Sequence, residues 1–333
     1  MSARVLPAGS PQAIAEAAAV VRGGGLVAFP TETVYGLGAN AFDPRAVARV
    51  FEAKARPSFD PLIVHLADAA SLPRVAASVD SRVDQLARRF WPGPLTLVLP
   101  KTDAVPEIVT SGLDTVGVRV PAHPAAHALL VAAATPIAAP SANPFGYVSP
   151  TTAAHVVEQL ADAVEVVLDG GPCRVGVEST ILSLAQHPPA ILRPGGLARE
   201  ELEACLGTPL AVVAGSERPT APGQLVVHYA TRTPLRILDG PAQAAPAGAG
   251  RVGLLALRPT AATSFAAIEV LAEDGDLATA AARLFAALRR LDALSLDLLL
   301  AEPCPERGLG LAIMDRLRRA AARPPLRVRR SSG

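Results

Sequence analysis

Cysteine, lysine and aromatic side chains are all scarce in this 333-residue chain. Its 3 cysteines, Cys173, Cys205 and Cys304, lie far apart with no C-x-x-C spacing. That excludes a zinc ribbon and a disulfide framework, and fits a reducing, cytoplasmic setting. Aromatics make up 4% of the chain while half of it is hydrophobic, so the cores must be built from Val, Leu, Ile and Ala. Basic excess is also missing: 31 Lys and Arg against 30 Asp and Glu leave a net charge of +1, which excludes a general nucleic-acid coat. Locally, "RLRRAAARPPLRVRR" at 316–330 is basic. It reads as a solvated helix end with a frayed terminus, leaving weak contact with RNA as a second reading. The longest apolar runs, such as "ALLVAAATPIAAP", are broken by proline, so no membrane span is expected. The start of the chain lacks the charged-then-apolar pattern of a signal peptide, and a cytoplasmic protein is expected.

The common catalytic and nucleotide signatures are absent too. "GLGAN" has no third glycine at the dinucleotide-binding spacing, no G-x-x-x-x-G-K-[ST] occurs, and "GVEST" lacks the second glycine of a nucleophile elbow. If the chain handles ATP, its cradle is of another kind.

What the sequence does contain is a dense alternation of short strand and helix patterns. Length suggests two domains. Ser10-Pro11 reads as an N-cap and first helical residue, Asp43-Pro44 as another, and "SRVDQLARRF", "PAAHALLVAA", "AAHVVEQL" and "REELEACL" as further helices. Strands are expected at "LVAFP", "PLIVHL", "LTLVL", "TVGVRV", "PIAAP", "VEVVLD", "STILSL" and "AILRP". Residues 1–207 therefore predict one α/β domain with a twisted, open, mixed sheet. Residues 208–233, rich in Pro, Gly, Thr and Ser, read as a connector. Residues 234–333 predict a smaller α/β, Rossmann-like domain, with strands in "LRILDG", "RVGLLAL", "AAIEVLA" and "LDLLLAE" and helices in "LATAAARLFAALRRLDAL" and "GLAIMDRLRRAA".

Six stretches of the first domain concentrate polar chemistry. "PTETVYGLG" crowds Thr31, Glu32, Thr33 and Tyr35 into what reads as a strand-to-helix turn closed by Gly36 and Gly38. "KARP" places Lys54 and Arg56 at a helix end, where they either offset the helix dipole or meet a polyphosphate. Lys54 and Lys101 are the only lysines. "DPLIVHL" offers Asp60 and His65, the latter as a core histidine or a ligand contact. In "LDTVGVRVP", Thr115 and Arg119 are four apart on a strand and face the same way, and a buried Arg119 needs a protein carboxylate or an anionic ligand. "APSANPFGYVSP" gathers Ser141, Asn143 and Ser149 at a strand end, as ligand contacts or turn formers. "GVEST" and "ILRPGG" add Glu178, Ser179, Thr180 and Arg193.

Taken in order, "PTETVYGLGANA", "KARP", "PLIVH", "FWPGPLT", "GLDTVGVRVPAHP", "APSANPFGYVSPT", "DGG", "GVESTI" and "LRPGG" make the chain resemble the YrdC/Sua-type threonylcarbamoyl-AMP synthases over nearly its full length. "GLGLAIMDRLRRAA" resembles the extra C-terminal domain of the longer members. The resemblance implies a soluble nucleotidyltransferase that joins L-threonine, bicarbonate and ATP, with Mg²⁺, into threonylcarbamoyladenylate and releases pyrophosphate. This is the first step of threonylcarbamoyladenosine formation in tRNA, and a downstream threonylcarbamoyl transferase is implied as partner. No side-chain nucleophile is needed.

Carried over residue by residue, the resemblance assigns Thr33, His65, Arg119, Ala139 and Ser179 to threonine, Arg119 taking its carboxylate. It places Lys54, Arg56, Ser141 and Asn143 at the reacting phosphate. Arg56, Asp60, Thr115, Ser141, Ser149, Arg193 and Tyr229 contact ATP, with no dedicated metal ligand. The "HYA" of the connector is expected to fold over the pocket as a lid. Two departures stand out: Asp60 where the family has Asn, which needs a metal or Arg56 to offset it, and "APGQLVVHYAT", in which Gln224 and apolar residues replace a lysine and Thr231 a proline. Two other readings remain. One is an RNA-binding module. The other is a carbamoyl-transfer maturation factor, which would need an acylphosphatase-like segment and cysteine-rich zinc spacings that are absent here. A monomer is expected.

Overall fold

A computed structural model describes residues 3–78, 80–213, 219–225 and 228–322. The basic tail from 323 onward lies outside the described residues, so the reading of 316–330 as an RNA contact is addressed only as far as 322.

The chain opens with β1 (Arg4–Pro7), α1 (Pro11–Arg22), β2 (Val27–Phe29), β3 (Gly36–Asn40), α2 (Pro44–Lys54) and β4 (Ile63–His65). After one 3-10 turn come α3 (Ser81–Phe90), β5 (Leu95–Pro100), α4 (Glu107–Thr110), β6 (Thr115–Arg119), α5 (Pro124–Ala133) and β7 (Ile137–Ala138). Then follow α6 (Ala153–Leu160), β8 (Val166–Asp169), β9 (Thr180–Ser183), β10 (Ala190–Arg193), α7 (Arg199–Leu206) and β11 (Ala211–Val212). Side-chain caps begin the helices where the sequence anticipates them: Ser10 Oγ accepts from Ala13 N, and Asp43 from Arg45 N and Ala46 N.

These eleven strands form one sheet in the order β1-β8-β2-β3-β7-β4-β6-β5-β9-β10-β11. Pairing is mixed, as expected: β4 and β6 are parallel, while β2 and β3, β4 and β7, β5 and β6, and β9 and β10 are antiparallel. One face carries α2, α3, α6 and α7 over the largest core, and α1 and α5 cover the other face near β2, β7 and β8. Beyond β4 that second face carries no helix among the described residues. A small cluster, Ile63, Val98, Ile181, Leu192 and Ala221, meets the connector there instead. This half-open face is where a ligand can enter.

Two local expectations change. Gly36 and Gly38 do not close a turn but lie within β3, paired with Phe29 and Val27. A Cβ on Gly38 would sit 2.7 Å from both Ile137 and Phe29, so glycine lets β3 slot between two bulky neighbours. Within the stretch read as connector, Ala211 and Val212 form an edge strand beside β10.

A second sheet, β12 (Leu235–Ile237), β13 (Val252–Ala256), β14 (Ala267–Val270) and β15 (Leu298–Ala301), is parallel throughout, in the order β12-β15-β13-β14. Its helices α8 (Leu277–Asp292) and α9 (Gly310–Ala321) share one core with Tyr229, Val34, Val148 and Val177 of the first half. The second domain is thus packed directly onto the loops bordering the open face.

Candidate functional site

A single cleft on that open face collects Thr31, Thr33, Arg56, Ile63, His65, Arg119, Ala139, Ser141, Glu178, Ser179, Arg193, Gly223, His228 and Tyr229 along its wall. Nine residues to which the resemblance gives a substrate role line it: Thr33, Arg56, His65, Arg119, Ala139, Ser141, Ser179, Arg193 and Tyr229.

Sheet register explains much of this convergence. His65 of β4 pairs with Arg119 of β6 on one side and with Ile137 of β7 on the other. Alternation then sends Ile63 and His65, and Gly117 and Arg119, to the same face. Thr115 shares that face with Arg119, as anticipated. It sits about 13 Å further along the strand, however, and lines a smaller adjoining cavity with Thr96, Gly117, Ile181, Ala221 and Pro222.

Arg119 is held on three sides at the cleft floor. Its Nη1 donates to Thr33 Oγ1 at 2.9 Å, its Nε to the Gly93 carbonyl at 3.2 Å, and its Nη2 lies 2.6 Å from Glu32 Oε1. Glu32 Oε2 accepts from Ala122 N at 3.0 Å, so the carboxylate is itself anchored. Of the two partners the sequence left open for this guanidinium, the protein carboxylate is present. Thr31 orders the loop beneath: its hydroxyl donates to the Val34 carbonyl at 2.6 Å and lies 2.8 Å from Thr33 Oγ1. Tyr35 points away, its hydroxyl donating to the Gly171 carbonyl.

His65 is buried, packs edge-on against Phe29, and leaves Nδ1 without a hydrogen-bond partner among the described residues. Burial, with the Arg119 charge beside it, pushes its pKa down to about 3, so the ring is a neutral donor–acceptor at physiological pH.

At the other end, Arg56 follows α2 and is held by Asp60. Its Nη2 lies 2.9 Å from Asp60 Oδ2, and its Nε and Nη2 donate to the Asp60 and Pro61 carbonyls. Asp60 is wholly buried, and Arg56 is the cation beside it. Lys54 sits behind the wall: its ammonium donates to the Ser141 carbonyl at 2.6 Å and to the Asn143 carbonyl, fixing the loop after β7. Burial and the neighbouring Arg56 push its pKa well below the ordinary lysine value, against the pull of Asp60 and Glu178. Asn143 donates from Nδ2 to the Pro144 and Tyr147 carbonyls, leaving Oδ1 without a hydrogen-bond partner among the described residues. Lys54, Asp60, Asn143 and Ser149 therefore surround the cleft rather than line it.

Arg193 closes a third side. Its guanidinium donates to the Ser179 carbonyl and hydroxyl and to the Pro222 carbonyl, while Ser179 Oγ lies 2.8 Å from Thr96 Oγ1. The connector forms the roof. Tyr229 adopts φ 62, stacks on Phe285 at 5.5 Å, and has its pKa raised to about 12, chiefly by burial. Gln224 Oε1 accepts from Thr220 N and Ala221 N, so this residue ties the connector to itself.

Sequence reasoning did not assign Glu32, Glu178, His228 or Arg316. Glu32 was visible beside Thr31 and Thr33, and Glu178 beside Ser179, but their partners come from distant segments. Electrostatically, three guanidinium groups and one carboxylate among the described residues face the cleft, an arrangement suited to anionic ligands. Among the described residues no group of three or more His, Cys, Asp or Glu can hold a metal, and no helix is long and apolar enough to cross a membrane.

Comparison with known proteins places this geometry. The family model described as "Telomere recombination" (Sua5_yciO_yrdC) matches residues 19–195, and that described as "Threonylcarbamoyl-AMP synthase, C-terminal domain" matches 197–322. A threonylcarbamoyl-AMP synthase of Bacillus subtilis is 46% identical over 95% of this chain and 94% of its own. One from Pyrococcus abyssi is 45% identical over 92% and 93%. The structure of P. abyssi Sua5 complexed with L-threonine superposes with a TM-score of 0.87 at 42% identity, covering 94% of this chain and 95% of that one. Full-length HypF, at 22% identity and a TM-score of 0.50 over 30% of its length, shares the fold alone. With both family models matched in order and full-length relatives well above the identity that fold alone explains, the chain belongs to the Sua5/YciO/YrdC family, in its form with the additional C-terminal domain.

Proposed function

We propose that the chain joins L-threonine, bicarbonate and ATP into L-threonylcarbamoyladenylate and pyrophosphate. The observation that carries this reading is the cation-lined cleft floored by Arg119, Thr33, His65 and Ser179, in a chain so similar throughout to a relative solved with L-threonine. In this reading Arg119 takes the amino-acid carboxylate, sharing its charge with Glu32, and Thr33, His65, Ala139 and Ser179 surround the rest of the threonine.

Bicarbonate takes a proton and splits into CO₂ and water, and the threonine amine bonds to that CO₂ and releases a proton, leaving a carbamate. A carbamate oxygen then forms a bond to the α-phosphorus as the bond to the β-phosphate oxygen breaks, and that electron pair leaves on pyrophosphate. Two anions must be brought together and extra charge on phosphorus neutralised, which is the work of fixed cations rather than of a nucleophile. Arg56 and Ser141 face the triphosphate, with Lys54 and Asn143 shaping the loop beside it. Arg193 and Tyr229 hold the nucleotide from the cleft wall, with Ser149 behind that wall and Thr115 in the adjoining cavity, and Asp60 sets the direction of Arg56.

Mg²⁺ fits as part of the ATP substrate, because Asn143 Oδ1 offers a free oxygen acceptor near Ser141 while no carboxylate cluster exists among the described residues. When bound it neutralises phosphate charge. The product, a mixed anhydride, is handed to a separate threonylcarbamoyl transferase acting on tRNA in the cytoplasm, and any contact of this chain with tRNA is weak.

Pyrophosphate release from ATP by the purified protein tests the reading. Release that requires both threonine and bicarbonate, and is lost in Lys54→Ala and Arg119→Ala, is expected. Release indifferent to threonine, or none at all, overturns it.

A further inference from the structure

Among the described residues Glu178 is the one carboxylate on the cleft wall, and it is held from the other domain. Arg316, on α9, is completely buried and places Nε 2.8 Å from Glu178 Oε2 and Nη1 2.5 Å from Asp315 Oδ2. The other oxygen of Glu178 accepts a 2.6 Å hydrogen bond from Ser149 Oγ. The Arg316 guanidinium carbon also lies 4.9 Å from the centroid of the Tyr229 ring. A wholly buried arginine is costly to desolvate, and a hydrophobic contact between two domains would be cheaper to build. Spending a charge here makes sense when its direction matters to something at the other end.

We propose that Arg316 of the second domain is a positioning residue for the nucleotide half of the cleft, orienting Ser149 through Glu178 and Tyr229 through its ring. The chain of contacts runs Arg316–Glu178–Ser149, so the serine hydroxyl, whose proton is committed to the carboxylate, presents its lone pairs in a fixed direction. The Tyr229 ring is pinned between Arg316 and Phe285, both from the second domain. Neighbouring contacts tie down the same loops: Arg289 Nη2 donates to the Val148 carbonyl at 2.5 Å, and Tyr147 donates to Asp292 at 2.7 Å. Loop 147–149 and the connector are therefore set by α8 and α9, and the second domain is part of the site rather than an appendage. This rests on the proposed synthase reading for what the cleft binds.

The charge state of Glu178 supplies a readout that a simple clamp would lack. Around it stand Arg316 and Asp315 on α9, Arg193 on β10, His228 and Tyr229 on the connector, and Lys54 at the end of α2. Burial alone would raise the Glu178 pKa, but the charges of Arg316 and Arg193 and the bonds from Ser149 and Arg316 bring it down to about 2. Its folded pKa lies below the unfolded value, so the ionised contact is complete above the ordinary carboxylate range and is lost only as pH falls toward 2. Without Arg316 the largest opposing charge is lost, Arg193 and Ser149 remain, and the protonation step moves upward.

Steady-state kinetics and binding of a fluorescent ATP analogue, on the full chain, test this in Arg316→Met, Arg316→Lys, Glu178→Gln and the Glu178→Gln/Arg316→Met double variant. Arg316→Met should lower kcat/KM for ATP roughly 10- to 100-fold, the loss of one charge-assisted hydrogen-bond direction, with a much smaller change in KM for threonine. It should also acquire an acid limb that the wild type lacks. Arg316→Lys should recover part of the ATP term, and the double variant should be no worse than the worse single one. ATP and threonine terms falling together with a flat pH profile would reduce Arg316 to a structural clamp. Unaltered analogue binding in Arg316→Met would likewise overturn the proposal. If Arg316→Met fails to fold, Glu178→Gln decides: wild-type kcat/KM for ATP in that variant defeats the inference. A wild-type protein without threonine-dependent turnover defeats the synthase reading instead, and analogue binding then still tests the coupling.

Discussion

Arg119 and Glu32 carry opposite charges, both about nine-tenths or more buried, at 2.6 Å. Replacing Arg119 by Met leaves Glu32 with one backbone partner, Ala122 N, and no cation within ion-pair distance among the described residues. Breaking a buried pair from one side costs about 3–5 kcal/mol, or a fall in melting temperature of roughly 6–20 °C for a domain of this size. Adding Glu32→Gln removes the stranded charge while keeping an acceptor for Ala122 N, so the double variant should recover most of that loss. Threonine use should behave differently. The amino-acid carboxylate needs the cation itself, so kcat/KM for threonine should stay down by at least about 30-fold in both the single and the double variant. Differential scanning calorimetry and pyrophosphate release, run on the same preparations, separate the two effects. A double variant that regains wild-type threonine kinetics would show that Arg119 serves only Glu32. An unchanged melting temperature in Arg119→Met would refute the energetic reasoning.

Gly176 has φ +74, and a Cβ there would lie 2.4 Å from Ala282 Cα and 2.5 Å from the Ala281 carbonyl of α8. Gly176→Ala should therefore cost about 2–4 kcal/mol in denaturant unfolding, as left-handed strain plus overpacking against backbone, and an unchanged midpoint would contradict this. His65 and His228 have pKa values pushed down to about 3, chiefly by burial. The unfolded chain takes up their protons near pH 6.5 while the folded chain does not, so stability is complete above that pH and falls as pH drops, by up to about 1.4 kcal/mol per pH unit per histidine. His65→Gln should flatten the slope between pH 6 and 4 measured by urea melts, and an identical slope would exclude His65 as a source. Chelating Mg²⁺ should stop pyrophosphate release without moving the melting temperature, because no carboxylate cluster among the described residues holds an ion; a shift on chelation would reveal a resident metal.

Much of the first domain was legible residue by residue because its signals are local. The α3 and α5 boundaries, Ser81–Phe90 and Pro124–Ala133, coincide with the expected helices, and caps such as Ser10 and Asp43 act within three residues of themselves. Strand alternation likewise put Thr115 and Arg119 on one face. The short strands β1 and β11 and the one-turn helix α4 escaped notice, since two to four residues carry too little periodicity to read. The glycines of β3 misled for a related reason: glycine marks turns by its backbone freedom, whereas here it is needed for lack of a side chain.

Sequence by itself determined which residues could make a polar cleft, because composition, caps and ordered motifs are properties of the chain. Only the tertiary structure decided how those residues are used. Glu32 meets Arg119 across 87 positions, Arg316 meets Glu178 across 138, and Arg289 meets the 148–149 backbone across 140 and more. No periodicity encodes such pairings; they arise because burying a charge demands a partner, and packing within the first domain and between the two domains determines which partner is within reach.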